Sequence, residues 1–298
     1  MKAFSKINLI LEVLERRPDG YHNLRSVMQS LDLHDLLTIR CETPARDKPF
    51  LQLECSDPVL PADERNLVYR AADYMVKTYG IRQSIHIRVD KRIPIAAGLG
   101  GGSSDCAAAL VGMNQLFALG LTAEELRGIG LRFGADVPFC ITGGTMLAEG
   151  VGEILTELPP HPPCWIVLAC LPISVSTAEI FKRFGEGGNL CPTRAQVGGG
   201  TCPLVGDKLK SDGGLTSDLI GPKLKNDLTP VTAALHPEIN GLIDRMKRLG
   251  ASDASMSGSG PSVFGLFDSE SAARAAAHTL NGTIKNVYIT RPERMRSV

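Results

Sequence analysis

A glycine-rich segment at residues 94–104 has the residue types most directly suited to chemistry. Because glycine lacks a Cβ, backbone N–H groups can approach an anion closely, and a helix N-terminus adds unpaired donors and a partial positive charge. The segment therefore predicts a phosphate site, and the alternative is an ordinary turn at a helix entry. Helix-compatible residues follow it, and its residues are Pro94, Ile95, Ala96, Ala97, Gly98, Leu99, Gly100, Gly101, Gly102, Ser103 and Ser104.

This segment differs from two common nucleotide-binding motifs. It is not followed by the Gly-Lys-Ser/Thr of a Walker loop, and Ser103 stands where a dinucleotide fingerprint needs its third glycine. Ser103 and Ser104 are candidates to offer hydroxyls to a phosphate or to Mg²⁺. Asp105 would repel phosphate, so we expect its side chain to point away or to contact a metal.

A second Gly-Ser segment, residues 255–262, precedes a predicted strand. By itself this segment is typical of a turn. Next to a phosphate site, a second loop of glycines and hydroxyls is expected to close over the other side of a triphosphate or of a substrate diphosphate.

Lys6, Asn8 and Asp136 are the candidates for the chemical step. Lys6 interrupts an apolar strand, and the two-residue period of a strand places it on one face with Asn8. Asp136 lies among small and apolar residues, just before Pro138. We hypothesise that Asp136 accepts the proton of a substrate hydroxyl while Lys6 offsets charge on the transferred phosphoryl group. The alternatives are a solvated Lys6 and an Asp136 that only caps a helix.

Three aromatic residues are candidates for contact with a planar base. Tyr21 and His22 follow a Pro-Asp-Gly turn, and Phe181 lies in the second half of the chain. Aromatic faces at loop positions can stack on a base. The alternative is that these rings are simply half-buried in the fold.

The elements that must position these residues follow from hydrophobic periodicity. Apolar residues alternate at Ile7, Leu9, Leu11 and Val13, which predicts a half-buried strand at the start of the chain. The remaining predicted strands are at residues 36–41, 50–55, 85–89, 165–171, 262–267 and 286–289. Helices are predicted at residues 66–79, 103–133 with a new start at Thr122, from Ser176, and at 236–249 and 271–280.

The order of these elements and a proline cluster predict the domain organisation. Strands come first and helices later, which favours an α+β fold over a doubly wound parallel sheet. The cluster at residues 159–163 interrupts both helix and sheet hydrogen bonding, so we divide the chain into domains at residues 1–158 and 159–298. Glycine-rich residues 185–221 are predicted to form a long loop.

Composition excludes several classes of protein. The 32 Lys and Arg residues balance the 32 Asp and Glu residues, which argues against a protein that coats nucleic acid or anionic lipid. No apolar run reaches the length of a membrane helix. Eight cysteines occur without a Cys-x-x-Cys pair, so neither a zinc site nor a disulfide framework is predicted. We expect a cytoplasmic protein with reduced thiols, and the oligomeric state cannot be read from the sequence.

Five motifs together resemble one family. In order and spacing they are similar to the GHMP kinase superfamily and, within it, to the kinases that act on a cytidine-diphosphate-linked methylerythritol. The Pro-Asp-Gly-Tyr-His turn is more specific than the glycine loop that the whole superfamily shares. The motifs are Lys6-Ile7-Asn8-Leu9, Arg17-Pro18-Asp19-Gly20-Tyr21-His22, Gly98-Leu99-Gly100-Gly101-Gly102-Ser103-Ser104, Gly134-Ala135-Asp136-Val137-Pro138 and Ser257-Gly258-Ser259-Gly260.

The resemblance implies ATP-dependent phosphorylation of the 2-hydroxyl of 4-diphosphocytidyl-2-C-methyl-D-erythritol in the non-mevalonate isoprenoid precursor pathway. The products would be the 2-phosphate and ADP. The implied fold is a two-domain α+β sandwich with ATP and substrate in the cleft between the domains. Mg²⁺ is expected with ATP and is held mainly by phosphates and water, because the motifs supply no metal-ligating glutamate.

The resemblance also assigns site residues. Lys6 and Asp136 fall on the catalytic lysine and aspartate, and residues 94–104 fall on the ATP-phosphate loop. Asn66 and Leu67 resemble the part near adenine. The residues that fall on the substrate pocket, where rings hold the cytosine, are Asn8, Tyr21, His22, Thr177 and Phe181.

Two alternatives remain open at this point. One is another small-molecule kinase of the superfamily, of the homoserine or mevalonate kinase type. The rings of Tyr21, His22 and Phe181 argue against it, because they have no stacking partner on those substrates. The other is a nucleotide-binding protein without catalysis, against which the presence of both Lys6 and Asp136 speaks.

Overall fold

The computed structural model describes residues 1–43, 50–186 and 223–294, which form eleven strands and eight helices. The strands are β1 (Lys2–Arg16), β2 (His22–Glu42), β3 (Leu51–Cys55), β4 (Ser84–Asp90), β5 (Thr145–Gly150), β6 (Ile154–Glu157), β7 (Trp165–Cys170), β8 (Lys225–Asn226), β9 (Asp253–Met256), β10 (Ser262–Phe267) and β11 (Asn286–Thr290). The helices are α1 (Leu67–Tyr79), α2 (Gly101–Leu116), α3 (Ala123–Leu131), α4 (Val137–Thr142), α5 (Thr177–Glu186), α6 (Thr229–Leu235), α7 (Glu238–Arg248) and α8 (Glu270–Asn281).

A seven-stranded sheet carries most of the first half of the chain. Its order is β3-β4-β2-β1-β8, and β5 pairs with both β2 and β6. The long β1–β2 hairpin is antiparallel and turns at Arg17 to Gly20, where the Gly20 N–H donates to the Arg17 carbonyl (3.0 Å) and Gly20 has φ of +89°. Glycine tolerates that backbone conformation without steric cost.

Helices α1, α2 and α4 pack on one another against this sheet. Helix α2 is buried from Ser104 to Met113 because alanines 107, 108 and 109 let its backbone approach the neighbouring elements. Helix α1 begins at a side-chain cap, in which Asn66 Oδ1 accepts from the Val68 N–H (2.9 Å). Helix α3 begins at the predicted capping box of Thr122 and Glu125, which is confirmed.

A second, antiparallel sheet of order β11-β7-β10-β9 forms the other layer. Helices α7 and α8 pack on it. An apolar cluster joins the two sheets: Ile7 and Leu9 of β1 are buried together with Leu168 of β7 and Phe264 of β10. The described residues thus form a mixed α+β fold with a hydrophobic layer between its sheets.

Several predicted elements require correction. The predicted strand at residues 36–41 is only the end of β2, which runs unbroken over 21 residues. The predicted helix at residues 236–249 is confirmed as α7, but the short helix α6 just before it was not predicted. Pro237, which has no N–H to donate, separates the two. The first strand is not half-buried: both faces of its centre are covered, one by the second sheet and one by the glycine loops.

The predicted division at residue 158 stays a prediction. The second sheet begins with β7, after the proline cluster, but β8 returns to pair in parallel with β1. Most of the predicted loop at residues 185–221 lies outside the described residues, and Gly185 itself belongs to α5. Among the described residues, no helix combines the length and the apolar character needed to cross a membrane.

Candidate active site

Lys6 and Asp136 meet at the centre of the candidate site. Lys6 Nζ lies 3.2 Å from Asp136 Oδ2 and donates to Asn8 Oδ1 at 3.0 Å. The Asn8 amide in turn donates to Ser26 Oγ (2.8 Å), which fixes the Asn8 oxygen toward the lysine. Lys6 is therefore a buried cation that is held between a carboxylate and an amide, and the alternative of a solvated Lys6 is wrong.

Asp136 occupies the N-cap position of α4 but does not cap it. Its backbone φ and ψ are helical, and its side chain makes no hydrogen bond to the first turn. The carboxylate turns to Lys6 instead, and 37% of the side chain remains exposed. An exposed carboxylate oxygen that the helix does not use is free to accept a proton from a substrate.

The first glycine loop packs directly on Lys6. The Lys6 backbone N–H donates to the Leu99 carbonyl (3.0 Å). A Cβ on Gly100, which has φ of +70°, would lie 2.9 Å from Lys6 Cγ. Only glycine at this position allows the loop to come so close to the lysine side chain.

The same loop enters the N-terminus of α2 in the form that anions favour. The first intrahelical bond is donated by the Ser104 N–H to the Gly100 carbonyl (2.8 Å), so the N–H groups of Gly101, Gly102 and Ser103 precede it. Unpaired amides at a helix N-terminus bind phosphate well. The structure therefore fits a phosphate group at this point.

Ser103 and Ser104 differ in placement. Ser103 lies at the surface of the loop, whereas Ser104 is fully buried and its hydroxyl donates to the Phe4 carbonyl (2.6 Å). The Ser104 hydroxyl therefore anchors α2 to β1. Of the two hydroxyls, only that of Ser103 faces the space where a phosphate would lie.

A cavity of about 380 Å³ extends from this loop to the start of α1. It is lined by residues 94–103 together with Asn66 and Leu67, and also by Leu60 and Arg65. The structure thus brings together the residues predicted for the phosphates and for adenine, apart from Ser104. A larger cavity of about 650 Å³, near Trp165, contains none of the predicted site residues.

The second Gly-Ser segment closes against the first loop. Ser257 Oγ donates to the Gly98 carbonyl (3.0 Å), and a Cβ on Gly98 would lie 2.6 Å from the Ser257 carbonyl oxygen. A Cβ on Gly258 would lie 3.8 Å from Lys6 Nζ and 3.7 Å from Asn8 Oδ1. This segment is therefore a wall of the same site, as its sequence predicted.

Of the aromatic residues, His22 begins β2 and Phe181 lies in α5. The rings of His22 and Phe181 stack with centroids 5.9 Å apart, and Phe184 meets His22 edge-on. Tyr21 is 66% exposed, and its backbone N–H donates to Asp19 Oδ1 (3.1 Å). The structure brings His22 and Phe181 together and leaves the Tyr21 ring free in solvent.

His22 Nε2 has no hydrogen-bond partner in the described part of the chain, although the atom is buried. Burial, with the nearby Arg16 charge, lowers the pKa of His22 and keeps the ring neutral near pH 7. Such an unpaired buried nitrogen is costly unless another group pairs with it. Thr177 lies near the second Gly-Ser segment, where Thr177 Oγ1 and Ser259 Oγ are 2.8 Å apart.

A buried triad lies behind the first glycine loop, and the sequence did not point to it. Lys91 Nζ forms ion pairs with Asp35 and with Asp105, the latter at 2.7 Å. Asp35 also accepts from the Arg92 and Ile93 backbone N–H groups. The partner of Asp105 is therefore a lysine, and both residues border the cavity beside the loop.

The described residues contain no cluster of three or more His, Cys, Asp or Glu side chains arranged to hold a metal ion. The two aspartates of the triad are already paired with Lys91. Asp136 is the exposed carboxylate closest to the lysine of the site.

Two family descriptions match the chain. "GHMP kinases N terminal domain" matches residues 66–144, and "GHMP kinases C terminal" matches residues 209–286. Proteins named 4-diphosphocytidyl-2-C-methyl-D-erythritol kinase are 42% identical to the chain. The one from Brevibacillus brevis matches 98% of this chain and 95% of its own length, and the one from Geobacillus kaustophilus matches 98% and 96%. The chain belongs to the 4-diphosphocytidyl-2-C-methyl-D-erythritol kinase family. It is a small-molecule kinase of the GHMP type.

Solved structures agree with this family. A crystal structure of 4-(cytidine 5'-diphospho)-2C-methyl-D-erythritol kinase matches 98% of this chain and 99% of its own, with a TM-score of 0.79 and 30% identity. A mevalonate kinase from L. major, at 15% identity and a TM-score of 0.70 over 100% of this chain and 97% of its own, shares the fold. The predicted α+β fold of the GHMP kinases is thus confirmed.

Proposed function

We propose that this chain transfers the γ-phosphoryl group of ATP to the 2-hydroxyl of 4-diphosphocytidyl-2-C-methyl-D-erythritol, giving the 2-phosphate and ADP. The reaction belongs to the non-mevalonate isoprenoid precursor pathway. The observation that carries the proposal is the pair of Lys6 and Asp136, 3.2 Å apart, with a carboxylate that α4 does not use.

Asp136 is proposed as the general base. Its free carboxylate oxygen accepts the proton of the attacking hydroxyl, and the Lys6 ammonium lies 3.2 Å from the carboxylate. Lys6 also offsets negative charge on the phosphoryl group as it moves. Asn8 keeps the ammonium in place through the 3.0 Å bond from Lys6 Nζ to Asn8 Oδ1.

Residues 94–103 are proposed to bind the phosphates of ATP, with Asn66 and Leu67 near its adenine. The N–H groups of Gly101, Gly102 and Ser103 form the N-terminus of α2, and unpaired N–H groups at a helix N-terminus attract anions. Mg²⁺ bound with ATP would neutralise phosphate charge, and we propose that phosphates and water supply most of its ligands.

The rings of His22 and Phe181 are proposed to hold the cytosine. Their stacked arrangement provides an aromatic surface, and the unpaired His22 Nε2 offers a hydrogen bond to a polar edge of the base. Tyr21 is exposed and able to close on the other face of the base. Asn8 and Thr177 are proposed as polar contacts for the rest of the substrate.

We propose no nucleic-acid partner for this protein, because its 32 Lys and Arg residues are balanced by 32 Asp and Glu residues. We further propose that the enzyme works in the cytoplasm. The cysteines in the described ranges are free, and burial raises the pKa of Cys106 to about 12 and that of Cys164 to about 11, which leaves both as unreactive thiols.

The test is a coupled assay of ADP release with Mg-ATP and the cytidyl substrate, with homoserine and mevalonate run in parallel. We expect turnover of the cytidyl substrate alone. Turnover of homoserine or mevalonate instead would reject the proposed substrate. Folded protein that releases no ADP with any of the three would reject the proposed reaction.

The base-binding assignment has its own experiment. Removing the ring in Phe181→Ala is expected to raise KM for the cytidyl substrate about 5-fold to 150-fold, the equivalent of one lost base-stacking contact. KM for ATP serves as the internal control, because Phe181 is remote in sequence and contact from residues 94–103. An unchanged KM for the cytidyl substrate would place the cytosine elsewhere.

A further inference from the structure

Asn226 is a buried amide whose two side-chain N–H groups both bind the second Gly-Ser segment, beside Lys6. It belongs to the two-residue strand β8, which pairs in parallel with β1. Asn226 Nδ2 donates to the Met256 carbonyl and to the Gly258 carbonyl, each at 2.8 Å. Asn226 Oδ1 accepts from the Leu228 N–H at 2.9 Å. Both hydrogens of the amide are thus committed to the second Gly-Ser segment.

Gly258, whose carbonyl Asn226 holds, lies beside Lys6. A Cβ there would lie 3.8 Å from Lys6 Nζ and 3.5 Å from the Gly98 carbonyl oxygen. Gly258 also has φ of +58°, a conformation that side chains disfavour. The backbone at Gly258 therefore lies close to both Lys6 and the first glycine loop.

Two N–H groups at this point are without an acceptor in the described part of the chain, those of Gly258 and Ser259. The flanking N–H groups are engaged, since Ser257 donates to the Ser262 carbonyl and Gly260 donates to the Ser257 carbonyl. Free N–H groups beside an ammonium form a pocket for negative charge. The Gly258 carbonyl, which Asn226 holds, shares its peptide plane with the Ser259 N–H and so sets the direction of that N–H.

We propose that Asn226 is a positioning residue for phosphoryl transfer: by holding the Met256 and Gly258 carbonyls, it sets the distance of the second Gly-Ser segment from Lys6. The inference rests on the proposed kinase reaction. Asn226 touches neither substrate in this role. It acts through the backbone of residues 256–259.

The neighbours of Asn226 provide matched controls, because they hold β8 to β1 without touching the segment. Asp227 Oδ2 accepts from the Val13 N–H (3.1 Å). Lys225 Nζ forms an ion pair with Glu12 Oε1 (2.9 Å). A variant of Asp227 therefore weakens the attachment of the same strand while leaving both Asn226 bonds to the segment in place.

The experiment compares kcat, both KM values and the melting temperature of wild type, Asn226→Ala, Asn226→Asp and Asp227→Ala. A displacement of about 1 Å in a catalytic site costs on the order of 100-fold in rate, so we expect kcat to fall about 10-fold to 100-fold in both Asn226 variants. KM for ATP and for the cytidyl substrate should change little. Asp227→Ala should have a lower melting temperature than wild type but a similar kcat.

The pH profile supplies a second readout. The carboxylate of Asn226→Asp accepts hydrogen bonds only, whereas its protonated form donates one and restores one of the two lost bonds. The kcat of Asn226→Asp relative to wild type should therefore rise as pH falls, and that of Asn226→Ala should not. This readout remains valid even if both variants are less stable, because it follows how the kcat of each folded variant changes with pH.

Three outcomes would overturn the inference: wild-type kcat in Asn226→Ala, a fall in kcat that merely follows melting temperature across all three variants, or identical pH profiles for the two Asn226 variants. If wild type and Asn226→Ala phosphorylate the cytidyl substrate with the same kcat, only the role of Asn226 is rejected and the proposed kinase reaction stands. Wild type that acts on another acceptor rejects the proposed substrate, and the same kcat comparison is then made with that acceptor. If wild type is inactive with every acceptor, both the proposed reaction and the role of Asn226 are rejected.

Discussion

Two lysine–aspartate clusters flank the same glycine loop, and they differ in almost every physical respect. Lys6 packs against Gly100 and pairs with Asp136. Lys91 lies on the other side, with its Nζ 3.4 Å from where a Cβ on Gly101 would be, and pairs with Asp105 and Asp35. Consecutive glycines thus separate two clusters built from the same residue types.

The difference lies in exposure and in the number of partners. The Lys91, Asp105 and Asp35 side chains are 7%, 5% and 0% exposed, although Lys91 and Asp105 border the cavity beside the loop. The Asp136 side chain is 37% exposed, and in the described part of the chain Lys6 is its ion-pair partner. A closed charge cluster, one that is almost fully buried, holds a loop in place, whereas an open pair, one with an exposed carboxylate, can exchange a proton with a ligand.

The largest expected effect is on the open pair. Asp136→Asn removes the proposed base and should lower kcat by about 10² to 10⁴, the usual contribution of a well-placed general base. The melting temperature should hardly change, because the side chain is partly exposed and caps no helix. Steady-state ADP release and thermal unfolding measure the two. A kcat near that of wild type would show that Asp136 is not the base and would break the contrast between the clusters.

The same substitution on the two lysines should give opposite results. Lys91→Met leaves the buried carboxylates of Asp35 and Asp105 without their cation. The loss of one partner of a buried ion pair costs about 3–5 kcal/mol in the free energy of unfolding. Lys6→Met faces only the partly exposed Asp136, so it should lower kcat far more than stability. Denaturant unfolding and ADP release, run on both variants, make the comparison. Equal stability losses would mean that the clusters do not differ in burial as described.

The open cluster could be predicted from the sequence, and the closed one could not. Lys6 interrupts an apolar strand and Asp136 stands among small residues, and both features are visible along the chain. Lys91 and Asp35 are 56 residues apart and meet only because β2 and the segment after β4 lie side by side. No local pattern encodes such a contact.

The second Gly-Ser segment shows the same limit. Its glycines and hydroxyls predicted a wall of the site, and the Ser257 bond to the Gly98 carbonyl confirms it. Asn226, which orients that wall, was missed, because Lys-Asn-Asp has neither strand nor helix periodicity and β8 is only two residues long. Elements this short are defined by the strand they pair with, here β1.

The smallest expected effect concerns the pH dependence of the closed cluster. Burial raises the pKa of Asp105 to about 7, with Asp35 adding to the shift and Lys91 opposing it. An unfolded aspartate has a pKa near 3.9, so between about pH 4 and pH 7 the folded state holds a proton that the unfolded state has released. The free energy of unfolding should therefore decrease as pH rises through this window.

Asp105→Asn removes that titration, so the free energy of unfolding of wild type relative to the variant should decrease between pH 5 and pH 8, as measured by denaturant unfolding at each pH. The difference between the two proteins isolates Asp105. His22, whose pKa burial lowers, acts in the opposite direction, but it is common to both proteins and cancels. Lys91 and Cys55 face the same carboxylate, and because their pKa values are raised they stay protonated throughout the window. A difference independent of pH would mean that Asp105 is ionised throughout, and the closed cluster would then resemble the open one in charge while differing from it only in access to water.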